Sequence, residues 1–391
     1  MKIRSVLYLT LVLLTASFAT AQIPCGSTPV PSPTLFVQWP QYHFDTNHSG
    51  CNPYESVIGV NTAPNLTLKW KFPTLARVSA SPVVAGGIAY VGSWDEYLWA
   101  VDVKTGELLW PFWARRFIFA SPVVADGMLY VASDEGRPYN LFALNARTGD
   151  VIWQYVTSGS VDRDSDLVVG NGMLYVGSFS GQLEAVNAKT GAFVWSHEFP
   201  ARPSAAVAGG VVYVSAGYDV YALDANTGAT IWDYNTGYSY FPSTPVVVNN
   251  VIYVGSGEYH VLALNAKTGT LIWTAATDGM VSSSPAVANG VVYVASQTSY
   301  QSGSVIALKA STGEQIWLTG IGGASSPIVA NGVVYAGEHG HGVHALDAKT
   351  GAPLWLYVTG DEVDSSPVVA NGVLYVTSED YNLYAFSLPS N

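Results

Sequence analysis

The chain is 391 residues long; only 11% of them are charged, while 38 are glycine and 24 are tyrosine. That composition suits one large domain of many short strands and turns and excludes a disordered chain. The formal net charge of −12 excludes the basic stripe that nucleic-acid binding requires.

Residues 1–21 read as a signal peptide: Lys2 and Arg4, an apolar run from Val6 to Leu14, then Ala19-Thr20-Ala21 before Gln22. The run is too short to cross a bilayer comfortably, and no later apolar stretch of about 18 residues is free of turn breakers. The expectation is therefore a secreted or periplasmic protein with no membrane span after cleavage. Residues 22–64 form a linker and a lead-in segment. They hold the only two cysteines, Cys25 and Cys51, which either pair in an oxidising compartment or stand as two free thiols. Gln22-Ile23-Pro24 before Cys25 lacks the small residue expected where a lipid is attached.

From residue 65 to 391 one phrase recurs. ALDANTGATIW (222–232) and ALDAKTGAPLW (345–355) are its clearest copies, with others at 100–110, 143–153, 185–195, 263–273 and 307–317. Each copy sits in a longer unit, as in SPIVANGVVYAGEHGHGVHALDAKTGAPLW (326–355). There, short β-rich runs at 327–330, 333–336, 343–347 and 353–356 are separated by turn residues. Asn331-Gly332 marks a two-residue hairpin, because both positions need positive φ. Lys349-Thr350-Gly351 closes another, with Gly351 free to turn left-handed. Four short strands per unit make a propeller blade, and no amphipathic helix separates them as a parallel βαβ fold would need.

The closing tryptophans fall at Trp70, Trp110, Trp153, Trp195, Trp232, Trp273, Trp317 and Trp355, and a large ring there can fill the space between stacked blades. Eight strand runs open near Ser81, Ser121, Ser165, Ser204, Thr244, Ser284, Ser326 and Ser366. The first tryptophan precedes the first run and the last run lacks its own. The expected fold is therefore all-β: an eight-bladed propeller of four-stranded antiparallel blades, closed by the N-terminal strand.

The phrase A-x-D-x-x-T-G-x-x-x-W resembles the tryptophan-docking motif of the pyrroloquinoline-quinone (PQQ) repeat family. That family includes quinoprotein alcohol dehydrogenases and the outer-membrane assembly lipoprotein BamB. The resemblance spans roughly residues 36–390 and implies one of two roles. One is a non-catalytic scaffold that binds a protein or small ligand. The alternative is a quinoprotein-type dehydrogenase with PQQ and calcium in the central funnel, an Asp base and a ring formed by adjacent cysteines. Cys25 and Cys51 are not adjacent, and no segment matches the family's catalytic Asp neighbourhood, so no catalytic residue is assigned. The stretch 36–56, with Trp39, Tyr42, His43, Phe44 and His48, resembles the family's lead-in, which either covers a channel or packs across the ring.

In such a meander the Asn-Gly and Lys-Thr-Gly turns share one rim. The other rim carries the variable connections, where binding chemistry concentrates. Fifteen Asp or Glu lie in those connections, against six Arg on the same rim. The expected partner face comprises Trp94, Asp95, Glu96, Arg115, Arg116, Asp134, Glu135, Asp361, Glu362, Glu379 and Asp380, taking a protein or a small ligand on a monomer. His339 and His341 are the weak metal candidates, since residues two apart in an extended segment point the same way. Asp162, Asp164 and Asp166 alternate like a calcium loop but lack the glycine and terminal glutamate of an EF-hand. No Ser-His-Asp arrangement or nucleophile elbow is present.

Overall fold

The structure is a computed structural model that describes residues 38, 40–134, 140–161, 167–237, 243–299, 302–321 and 325–389. Seven blades are four-stranded antiparallel meanders, lettered A to D from the channel outwards. Blade 7 is Ile328–Ala330, Val333–Glu338, Gly342–Asp347 and Pro353–Val358, close to the runs read from sequence. The eighth sheet is completed by Thr67–Pro73, which pairs antiparallel with Asn382–Ser387. The ring is therefore closed by the N-terminal strand.

Local chemistry explains the regularity. All eight A–B hairpins turn on two residues with positive φ, from Gly86-Gly87 through Asn331-Gly332 to Asn371-Gly372, the geometry that matches strand twist. In the C–D turn, Asp347 Oδ1 accepts the backbone N–H groups of Lys349 and Thr350. Asp102, Asn145, Asn187, Asp224 and Asn265 do the same at their turns. This local bond is why Asp or Asn recurs there.

Each of the eight tryptophans donates its indole N–H to a backbone carbonyl of the following blade. Trp232 reaches Ala266 O at 3.1 Å and Trp317 reaches Ala348 O at 3.1 Å. At the seam Trp355 reaches Leu66 O at 3.0 Å, so the residue leading into the closing strand replaces the missing turn. The glycine of the next C–D turn lies flat on the ring. A Cβ at Gly269 would fall 2.7 Å from Trp232, at a φ of +70°, so only glycine fits. Strand B adds tyrosines that the sequence reading did not single out. Tyr293 packs 5.8 Å from Trp317 and donates to the same Ala348 carbonyl at 3.0 Å. Trp232→Ala should cost about 3–5 kcal/mol, the range for emptying a large aromatic site. Trp94→Ala should cost less, as measured by denaturant unfolding; equal, small losses would mean that the indoles do not hold the blades together.

The lead-in threads the channel. Strand A of every blade is an inner edge whose central N–H lacks a partner within the sheet, and the lead-in supplies one blade after another. Val124 N donates to Pro40 O, Val169 N to Gln41 Oε1 and Val207 N to Thr46 O. Val247 N, Val287 N and Val329 N donate to the carbonyls of Asn47, Ser49 and Gly50. Asn52 Nδ2 then donates to Val369 O at 2.7 Å, and Cys51–Asn52 pairs parallel with Val329–Ala330.

Tyr42, His43 and His48 are buried in this segment, with Tyr42 stacked on His43 at 4.4 Å. Glu55 anchors the far end: its carboxylate accepts the N–H groups of Val57, Ile58 and Gly372. Cys51 is buried and disulfide-bonded. Cys25, the chain's other cysteine, lies outside the described residues, as do residues 1–21, the expected signal peptide, and Trp39.

Candidate functional site: an acidic rim at the ring seam

At the channel mouth, Ser and Thr residues that open inner strands bond to one another around the ring among the described residues. Ser284 N donates to Ser326 Oγ at 2.8 Å, Thr244 N to Ser284 Oγ at 3.1 Å, and Ser366 N to Ser81 Oγ across the seam at 2.9 Å. Tyr42 Oη rises from the lead-in to Ser326 Oγ at 2.7 Å. The lead-in therefore runs through the channel from this serine ring to the opposite rim, where Val57 lies against the Gly372 turn. A flat tricarboxylate quinone does not fit among these residues: the lead-in bonds the inner strands of blades 2 to 7, and its basic side chains from Pro40 to Ile58 are two histidines whose burial keeps them neutral.

Above the serine ring the D–A connections are pinned locally. Thr157, Thr277 and Thr359 each donate a hydroxyl to the carbonyl two residues on, at 2.8, 2.8 and 2.6 Å. The last of these holds Asp361-Glu362-Val363-Asp364 beside the B–C turns of blades 7 and 8. Asp361, Glu362, Asp364, Glu379 and Asp380 thus gather with His339, His341 and Arg77 where blades 7, 8 and 1 meet. Arg77 bonds Glu379 at 2.9 Å, half exposed against a nearly buried carboxylate. Burial, then the neighbouring Asp364, pushes the Glu379 carboxyl above its ordinary range, and Arg77 opposes the shift. Like charges crowded at one seam make a field that attracts cations.

Several acidic residues of the expected face, Asp380 included, accept hydrogen bonds from their own or a neighbouring segment. Asp95 accepts from Leu75 N and Tyr97 N and from Trp99 Nε1. Glu96 accepts from Trp113 Nε1 at 3.0 Å, and buried Asp134 takes the Ser160 hydroxyl. Asp380 accepts from Gly360 N at 2.8 Å and from Tyr384 Oη at 2.5 Å. Trp94 is packed rather than presented: its indole bonds Ser79 Oγ and meets Phe119 edge-on at 4.9 Å. Glu135, Asp162, Asp164 and Asp166 lie outside the described residues.

Arg115 and Arg116 sit apart from the seam. They line a groove of about 540 Å³ between blades 1 and 2 with Phe112, Trp113, Asn140 and Gln154, and the Arg115 guanidinium lies 5.6 Å from the Trp113 ring centroid. The two candidate histidines diverge. His341 adopts a φ of +72°, so the segment is not extended there. His339 Nε2 meets Asp364 at 3.0 Å, whereas His341 Nδ1 faces Asp361 at 3.5 Å.

Eight four-stranded blades, an N-terminal closing strand and an indole bond between successive blades define a propeller of the PQQ-repeat class. A model described as outer membrane protein assembly factor BamB matches residues 56–217, 161–242, 216–317 and 301–389, and the chain belongs to that family. BamB of Yersinia pestis is 28% identical over 219 residues, 52% of this chain and 55% of that protein. Tetrathionate hydrolase of Acidithiobacillus ferrooxidans is 26% identical over 183 residues, 41% of this chain and 36% of that protein. The matches thus span between about a third and about half of the relatives' length.

Among solved structures, BamB of Moraxella catarrhalis superposes with a TM-score of 0.71 at 20% identity, covering 82% of this chain and 99% of that one. Quinohemoprotein alcohol dehydrogenase of Comamonas testosteroni superposes at 0.78 and 16% identity, covering 90% and 82%. At those identities the likeness is one of fold. Among the described residues no helix is long and apolar enough to cross a membrane.

Proposed function

We propose that this chain is a non-catalytic binding scaffold of the periplasm or the extracellular space, and that a cationic protein surface docks on the acidic rim where blades 7, 8 and 1 meet. The observation that carries this reading is the convergence of Asp361, Glu362 and Asp364 from one D–A connection with Glu379 from the neighbouring B–C turn, where Arg77 pairs Glu379. The filled channel supports it as well, since it leaves the rims as the surfaces on which a partner is met. Membership of a family described as an assembly factor agrees with a role in holding other proteins. Docking of this kind is steered by charge and weakens in salt, because the Debye length falls from about 10 Å at 0.1 M to about 3 Å at 1 M.

The test is a pull-down from envelope extract with the wild type and with an Asp361→Lys, Glu362→Lys variant, at low and high salt. The wild type should retain a partner at low salt that the variant loses and that high salt releases. Equal recovery by both proteins, or recovery insensitive to salt, would leave the acidic rim as a solubility device.

A further inference from the structure

The repeat supplies its own control for the contact between a B–C turn and the next blade's D–A connection. In blade 1 that contact is apolar, with Trp94 edge-on to Phe119 at 4.9 Å. In blade 2 Asp134 takes a hydrogen bond from Ser160. The Arg202 guanidinium lies 4.0 Å from the Phe179 ring centroid in blade 3, and Glu379 of blade 8 pairs with Arg77 at 2.9 Å. Blade 7 departs from these contacts: it places one imidazole, His339, against two carboxylates of blade 8, Glu362 and Asp364. Ligand atoms from all three lie within 4.8 Å of one another.

We propose that His339, Glu362 and Asp364 form a binding site for a divalent first-row metal ion of the zinc or manganese kind, which ties blade 7 to blade 8. One imidazole nitrogen with carboxylate oxygens suits such ions. Donors about 2.1 Å from a shared tetrahedral ion sit roughly 3.4 Å from each other. The 3.0 Å between His339 Nε2 and Asp364 Oδ1 is near that spacing, and the Glu362 carboxylate lies within 4.8 Å of both. Three protein ligands leave a coordination position open to water or to a side chain of a docked molecule. Two of the ligands flank the D–A turn pinned by Thr359, so backbone bonds rather than the metal set their position. The site does not depend on the scaffold reading, since it asks only for the isolated protein and an ion.

The experiment strips purified protein with EDTA and titrates it with zinc chloride and, separately, manganese chloride by calorimetry. The melting temperature is read in parallel. Wild type and His341→Ala should bind with saturation and melt higher on metal addition. His339→Ala and Asp364→Asn should bind at least about tenfold more weakly while melting like the wild type without metal. Should His339→Ala fail to fold, the near-isosteric Asp364→Asn carries the comparison. Absence of saturable binding by the wild type with either ion overturns the proposal, and so does equal affinity in all four proteins. Loss of binding in His341→Ala would equally overturn it, because that ring faces Asp361 and lies outside the group.

Discussion

A chain lacking residues 22–72 should fail to give a soluble monomeric ring. Two losses combine in that deletion. The last blade loses Thr67–Pro73, which exposes Asn382–Ser387 as an unpaired edge, and Trp355 loses the Leu66 carbonyl that its indole reaches at 3.0 Å. An open edge of β-rich sequence is a template for aggregation. The inner strands of blades 2 to 7 also lose the acceptors supplied from Pro40 to Gly50. A shorter deletion of residues 22–52 separates the effects: it keeps the closing strand and removes only the channel segment. Water can then reach the inner N–H groups, so each lost bond costs only about 0.5–1.5 kcal/mol. The shorter variant should fold and melt lower than wild type, while the longer one should aggregate. Unchanged melting of the longer variant would remove the closure argument.

Stability should fall as the pH drops below about 6.5, because of His43 and His48. Both rings are buried in the channel segment at 1% and 0% exposure. Burial holds each pKa down to about 3, from an ordinary 6.5; the backbone carbonyls of His48 and Pro285 favour His43 protonation but do not outweigh it, and His43 adds to the depression of His48. The unfolded chain takes up these protons near 6.5 and the folded chain does not, so the stabilisation is complete above that pH and declines as the pH falls towards 3. At pH 5 the loss is on the order of 2 kcal/mol per histidine. Asp45 acts with the opposite sign: burial raises its carboxyl, which returns some stability as it protonates, so the histidine effect is clearest between pH 6.5 and 5. His48→Asn suits the test, since Asn tolerates the φ of 57° at that position and does not titrate. The variant should lose about half of the melting-temperature difference between pH 8 and pH 5, and an unchanged difference would mean that the ring is not buried neutral.

The ring was legible because the repeat writes it several times over. The tryptophan spacing gives the blade count, the Asn-Gly pairs give the hairpins, and the offset between Trp70 and the first strand run shows where the ring closes. The course of the lead-in was harder to read. Gln41–Gly50 is a series of tight turns with positive φ at His43, Phe44, His48 and Gly50, and its partners are backbone N–H groups, which leave no mark in side-chain sequence. Tyr42 was visible as an aromatic, but its hydroxyl partners Ser284 and Ser326 lie far along the chain.

The rim was readable only as a charge count. Asp95 and Asp380 look like free charges in sequence, yet both accept backbone bonds, from Leu75 and Tyr97 and from Gly360. The His339 neighbourhood shows the same limit. Alternation pairs it with His341, but a left-handed residue at 341 sends that ring to Asp361, and the closer partners come from the next blade. Contacts between blades depend on the curvature of the ring, which a linear pattern does not encode.

A channel threaded by the lead-in leaves this propeller a role without a quinone. The most direct test is to incubate the purified protein with PQQ and calcium, desalt it, and measure retained cofactor absorbance together with dye-linked alcohol and sugar oxidation. The expected result is neither retained cofactor nor oxidation by the wild type, whose channel holds the lead-in. Stoichiometric retention of PQQ by the wild type, with dye reduction that depends on substrate, would contradict it.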